Sequence, residues 1–148
     1  MLGELNPDQI ELLLNEQLIG RIGCSANGVT YVVPVTYAYD GKYIYAHSKE
    51  GRKIQMMRIN PFVCFEVDKM ENPANWQSAI IWGKFEELNH DEEKTGLNML
   101  MNRLHHDIAS ETSMPATGHV HQNDAGPYKS VIFRIEIREK SGRFEQRR

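Results

Sequence analysis

The sequence predicts a mainly β domain with a few helices. Two dipeptides suited to tight hairpins, Asn27-Gly28 and Asp40-Gly41, divide a stretch of alternating apolar residues; the run between them is apolar on both faces; and helical spacing is confined to stretches outside the strand-like runs. At 148 residues the chain reads as one domain, 1–148. A chain of that size buries roughly 68–70% of the surface its unfolded form exposes, enough for a core without disulfide or metal staples.

Asn6-Pro7-Asp8-Gln9 reads as a helix start, with Asn6 as N-cap, proline at the first helical position and Gln9 three residues after the cap. Ile10, Leu13, Leu14 and Leu18 follow at helical spacing, and Gly20 is expected to end the helix. From Arg21 the period becomes that of strands, at residues 21–25, 30–39 and 42–47. The two turn dipeptides favour the positive φ angles of two-residue hairpins, so the three runs predict a meander. In the middle run Tyr31, Val33, Val35, Tyr37 and Tyr39 alternate with Val32, Pro34, Thr36 and Ala38, which predicts a strand inside a barrel wall.

Residues 51–59 read as a short helix stopped by Asn60-Pro61, since proline lacks a donor and disfavours helix at the residue before it. Residues 62–68 and 78–86 are two further strands, joined by a polar loop containing Asn72-Pro73. Asp91-Glu92-Glu93 opens a helix carrying Leu97, Leu100, Met101, Leu104 and Ile108, with Arg103, His105 and His106 near its end, a charge order that suits the helix dipole. Residues 107–128 show no period. Residues 130–138 alternate Val131, Phe133, Ile135 and Ile137 with polar Arg134, Glu136 and Arg138, as a half-buried closing strand does.

A formal net charge of -3 argues against a nucleic-acid binder, which needs clustered Lys and Arg. The amino terminus lacks a basic, apolar leader pattern and no run approaches the roughly 20 apolar residues of a membrane span, so a cytoplasmic location without membrane association is expected. Cys24 and Cys64 lie in apolar runs without CxxC spacing and are expected to be buried free thiols.

Two segments carry chemistry. In Ala46-His47-Ser48-Lys49-Glu50-Gly51-Arg52-Lys53 a strand ends in small polar residues, turns at glycine and starts a helix with two cations. Unpaired N–H groups at a helix start, with Ser48, Arg52 and Lys53, suit a phosphate monoester; a solvated charged face is the plainer explanation of the same pattern. In Val33-Pro34-Val35-Thr36-Tyr37 the proline marks a strand edge, bulge or gap, which either protects the edge or frees backbone groups for a planar heterocycle. His105 and His106 diverge on a helix, and His119-Val120-His121 would chelate only with a third ligand, so no metal site is expected.

Val33-Pro34-Val35-Thr36-Tyr37, then Asp40-Gly41-Lys42-Tyr43-Ile44-Tyr45-Ala46-His47-Ser48, Gly51-Arg52-Lys53 and Met57-Arg58-Ile59-Asn60-Pro61-Phe62-Val63-Cys64-Phe65-Glu66-Val67-Asp68, together resemble the FMN-binding split-barrel superfamily of pyridoxamine 5'-phosphate oxidase. The branch most similar to this chain is that of the short nitroimidazole-resistance-like flavoproteins. The likeness runs over residues 12–88, and residues 130–138 match the last barrel strand more loosely. It implies a six-stranded antiparallel split β-barrel forming a homodimer, with two FMN sites between subunits. On this likeness the backbone of Val33, Pro34, Val35 and Thr36 faces the isoalloxazine and ribityl chain, His47 and Ser48 lie beside the ribityl phosphate, Arg52 and Lys53 hold the phosphate, Ser78 contacts the flavin and Trp82 walls the site from either subunit. Residues 135–143 stand where authentic pyridoxamine phosphate oxidases carry a Trp and an Arg-x-His substrate clamp, so vitamin B6 oxidation is not expected. The implied function is an FMN-dependent oxidoreductase that passes electrons between a small-molecule donor and acceptor. A non-catalytic FMN-binding or storage protein is the alternative, and a haem binder using His119 or His121 a third reading.

Overall fold

The computed structural model describes residues 1–105 and 130–147. The segment 107–128, with Ile108, His119 and His121, lies outside the described residues, as does His106. The elements run β1 (Leu2–Glu4), α1 (Pro7–Glu16), β2 (Ile19–Ala26), β3 (Val29–Thr36), β4 (Ala38–Tyr39), β5 (Tyr43–Lys49), α2 (Arg52–Ile59), β6 (Phe62–Asn72), β7 (Asn75–Glu87), α3 (Asp91–His105) and β8 (Ser130–Glu145).

All strand pairs are antiparallel, in the order β3-β2-β6-β7-β8-β5-β4, with β1 added beside the end of β8. The six long strands are the expected barrel wall, and β1 and β4 are short additions. The two ends of the path, β3 and β4, are consecutive in the chain. One run of backbone therefore begins on one sheet edge and finishes on the other, with Tyr37 at the break; this gap is the split. Tyr37 is buried, donates its hydroxyl to the Leu14 carbonyl (2.6 Å) and meets the Phe65 ring edge-on at 5.0 Å. Burial raises its pKa.

Local signals act as expected at several points. Asn6 accepts from the Gln9 N–H while the Gln9 side chain accepts from the Asn6 N–H, closing a capping box. Asn27 and Gly28 both have positive φ, 52° and 80°, and connect β2 to β3. At the second turn Gly41 has positive φ, 97°, and the Asp40 carboxylate accepts from the N–H groups of Lys42 and Tyr43.

Four expectations need correction. The first helix ends at Glu16, and Gly20 is a β2 residue: a Cβ there would lie 2.1 Å from the Phe65 ring, so packing and not capping requires glycine. The polar loop around Asn72-Pro73 is mostly paired strand, because β6 and β7 extend into a tight hairpin. The run 30–39 is neither a single strand buried on both sides nor the middle of a meander: it divides into β3, an edge paired with β2 in which Val35 is buried inward and Val32 is 63% exposed outward, and β4, which pairs with β5 at the other edge. The closing strand continues to Glu145, where it pairs with β7 and β1. The main core lies inside the barrel under α1 and α2, and a smaller cluster of Ala38, Tyr45, Leu88, Leu100 and Ile132 packs beneath α3. No helix among the described residues is long and apolar enough to cross a membrane.

Candidate functional site

The start of α2 brings residues from three elements together. β5 delivers Ser48 at its end, Gly51 turns the chain, and α2 opens on Arg52 and Lys53. Lys53 Nζ donates to Ser48 Oγ. The Arg52 guanidinium lies 5.8 Å from the centre of the Tyr31 ring on β3. Lys53 is half-buried, and burial lowers its pKa while the nearby Cys24 thiol opposes that shift. Burial in turn raises the pKa of Cys24, so that thiol stays protonated.

Neither Arg52 nor Lys53 makes an ion pair among the described residues. By contrast Arg21, Arg58, Arg134 and Lys140 each meet a carboxylate. Gly51 caps α2 without a side-chain bond, and no acid stands in the first turn. Backbone N–H groups, a hydroxyl and two cations thus share one corner in which no carboxylate among the described residues balances the charge, the donor set that a phosphate monoester needs.

The ten residues assigned to the flavin on resemblance do not share one face. Val33 and Val35 point into the barrel with Tyr31, on the side of the cationic corner, and Val35 is buried. Pro34 and Thr36 alternate to the outside. His47 and Ser48 are strand neighbours and so project to opposite faces; His47 sits opposite Ile132, on the side covered by α3. Ser78 and Trp82 are on the outer face of β7, and Trp82 is 48% exposed. The structure therefore gathers Ser48, Arg52 and Lys53 and leaves Ser78 and Trp82 on the opposite side of the same sheet.

That outer face has its own character. Cross-strand register lines up Val32, Gly23, Cys64, Trp82 and Glu139, and with Phe62 and Arg138 these residues surround a shallow depression of about 650 Å³. Cys64 is only partly buried, unlike Cys24, because it lies on this face; both thiols are free. Ser78 donates to Glu66 (2.8 Å), and Arg21 bonds Asp68 (2.9 Å) and approaches Glu66 (3.4 Å). Burial and the adjacent Asp68 raise the pKa of Glu66, opposed by Ser78 and Arg21.

Sequence reasoning missed Tyr31 and the Glu66 carboxylate that holds Ser78. The first was partly legible: a two-residue turn at Asn27-Gly28 sets Cys24 opposite Tyr31, so the two share a face. The second was not, because Arg21, Glu66 and Ser78 meet only through the β2-β6-β7 pairing.

The sequence model of the family described as pyridoxamine 5'-phosphate oxidase matches residues 6–144. The chain belongs to this pyridoxamine 5'-phosphate oxidase family. Among solved structures, this family member is similar to a FAD-binding protein from Mesorhizobium loti, with 28% identity, 99% of each chain covered and a TM-score of 0.77. It shares its fold with a protein from Bacteroides thetaiotaomicron described as a candidate 5-nitroimidazole antibiotic resistance protein (20% identity, 97% of this chain and 87% of that one, TM-score 0.73). The same holds for a FAD-binding protein from Mycobacterium smegmatis (16% identity, 96% and 97% covered, TM-score 0.64). A curated relative, an uncharacterised protein of Rhizobium meliloti, is 34% identical over 70 residues, and the match spans 47% of this chain and 46% of that protein. These likenesses bear out the split-barrel expectation.

Proposed function

We propose that this protein binds FMN and acts as a flavin-dependent oxidoreductase on a small molecule. The observation that carries the reading is the start of α2, where Lys53 donates to Ser48, Arg52 opens the same helix, and neither cation makes an ion pair among the described residues. The side chains fit a phosphate: Arg52 and Lys53 supply charge, and Ser48 and the first N–H groups of α2 supply further donors. Val33, Pro34, Val35 and Thr36, on the β3 edge, supply backbone and apolar contacts for the ring and ribityl chain, with His47 nearby on β5. When bound, the flavin supplies the electron-carrying chemistry, while the chain places it, excludes water and sets the charge around it. FAD-binding relatives of the same fold support a flavin, and FMN is preferred because the corner offers donors for one phosphate.

The reading includes a homodimer. Within one chain Ser78 and Trp82 face away from the cationic corner, so their expected contact with the flavin requires a second copy. The exposed apolar residues of the outer face, Val32, Phe62 and Trp82, suit such a partner. A reducing, cytoplasmic setting suits the two free thiols.

Titration of the apoprotein with FMN, FAD and riboflavin tests the reading. FMN is expected to bind more tightly than riboflavin, with quenching of flavin fluorescence; equal affinity for the two would remove the phosphate site. Rapid mixing of the FMN-loaded protein with NADH and NADPH, against free FMN, then separates an enzyme from an FMN-binding or storage protein.

A further inference from the structure

Glu50 is the acid nearest in sequence to the cationic corner, one residue before the cap of α2 and two before Arg52. A carboxylate there is drawn to a helix start by the dipole and by adjacent cations, and it would compete with any bound anion. It is instead bonded elsewhere. Both Glu50 oxygens accept from Arg58 in the last turn of α2, through Nη1 and Nη2, the latter at 3.1 Å. Arg58 is itself anchored to β7 by Glu87, through Nε (2.8 Å) and Nη2 (3.2 Å). One guanidinium thus holds two carboxylates, which raise its pKa and keep it charged.

We propose that Arg58 is a positioning residue that keeps the anion corner open by holding the Glu50 carboxylate away from Arg52 and Lys53. Arg58 acts at a distance, through Glu50. Without it, Glu50 is repelled by Glu87 and attracted by the unbalanced cations, so the corner neutralises itself. The inference rests on the reading of that corner as a phosphate site and adds to it the device that keeps its cations from being neutralised by Glu50.

The test compares FMN and riboflavin binding to wild-type apoprotein, Arg58→Gln, Glu50→Gln and the double variant, with melting temperature recorded for each. Arg58→Gln is expected to weaken FMN by about two- to fivefold, the scale of one partly exposed ion pair, and to leave riboflavin unchanged. Adding Glu50→Gln should restore FMN affinity while leaving the melting temperature low, because the tie to Glu50 is still absent. Arg58→Lys, which retains the charge without the two-armed bond, should fall between wild type and Arg58→Gln and serves if Arg58→Gln does not fold. Unchanged FMN affinity in Arg58→Gln, equal weakening of riboflavin, or no restoration by Glu50→Gln overturns the proposal and leaves the phosphate reading standing. A wild-type protein that prefers FMN no more than riboflavin removes that reading and this inference with it.

Discussion

The starts of α1 and α2 follow opposite electrostatic rules. At α1 a capping box joins Asn6 and Gln9, and Asp8 places negative charge in the first turn. At α2 the cap is Gly51 with no side-chain bond, and the first turn adds two cations to the partial positive charge that the helix already presents. The first arrangement serves the stability of the chain alone. The second costs the free chain roughly 0.3–1 kcal/mol per charge, a cost that a bound anion reverses. A helix start with charge of the wrong sign is therefore a better pointer to an anion than basic residues in general, since the cations at Arg21, Arg58 and Arg134 are all balanced.

The largest expected effect breaks the comparison at its functional end. Replacing both Arg52 and Lys53 by alanine should weaken FMN by about 1.5–3 kcal/mol per lost charge-assisted bond, without lowering the denaturation midpoint of the apoprotein. A large loss of apoprotein stability would mean that the corner serves the fold. Next in size, Asn6→Ala should destabilise the chain by about 1 kcal/mol in chemical denaturation and leave FMN affinity unchanged.

A smaller effect comes from making α2 resemble α1. Gly51 is extended, with φ of -164°, and a Cβ there meets only the Lys49 carbonyl oxygen at 3.8 Å, so Gly51→Asp fits without strain. It should stabilise the apoprotein by about 0.3–1 kcal/mol and weaken FMN, a trade measured by paired melting and titration.

The smallest effect is the pH dependence. Burial lowers the pKa of Lys53 in the folded chain, so the unfolded chain binds this proton more tightly. The destabilisation from burying the charge is fully present below the folded pKa and is relieved as pH rises towards and through the ordinary value of 10.5. Lys53→Met should therefore be more stable than wild type at about pH 7, and its advantage should shrink as pH rises towards about 10.5. Denaturation midpoints of the two apoproteins across that range measure it.

Comparison of particular elements shows where sequence reasoning succeeds. The capping box at Asn6 and the turn at Asn27-Gly28 depend on a few neighbouring residues, and both form as expected. Gly20 and the stretch between Asp68 and Ser78 were misread because their roles come from distant partners: the Phe65 ring over Gly20, and the strand pairing of Lys69 with Gln77 and Met70 with Trp76. Of the candidate site, the clustering of donors at the start of α2 is legible, since Ser48, Arg52 and Lys53 lie within six residues of one another. The separation of that corner from Ser78 and Trp82 was not, because the inward or outward direction of a strand residue is set by register across the sheet.

The sequence by itself determined the family, through the resemblance of its ordered motifs, and, through short-range patterns of residue type, the mainly β class and the clustering of donors at the start of α2. The tertiary structure decided that β3 is an edge, that Cys64 faces outward while Cys24 faces inward, and that Glu50 is tied to Arg58 and Glu87 instead of the cations beside it. Those outcomes depend on which strands pair and on which charges then come within bonding distance, and both are properties of long-range contacts that no local pattern encodes.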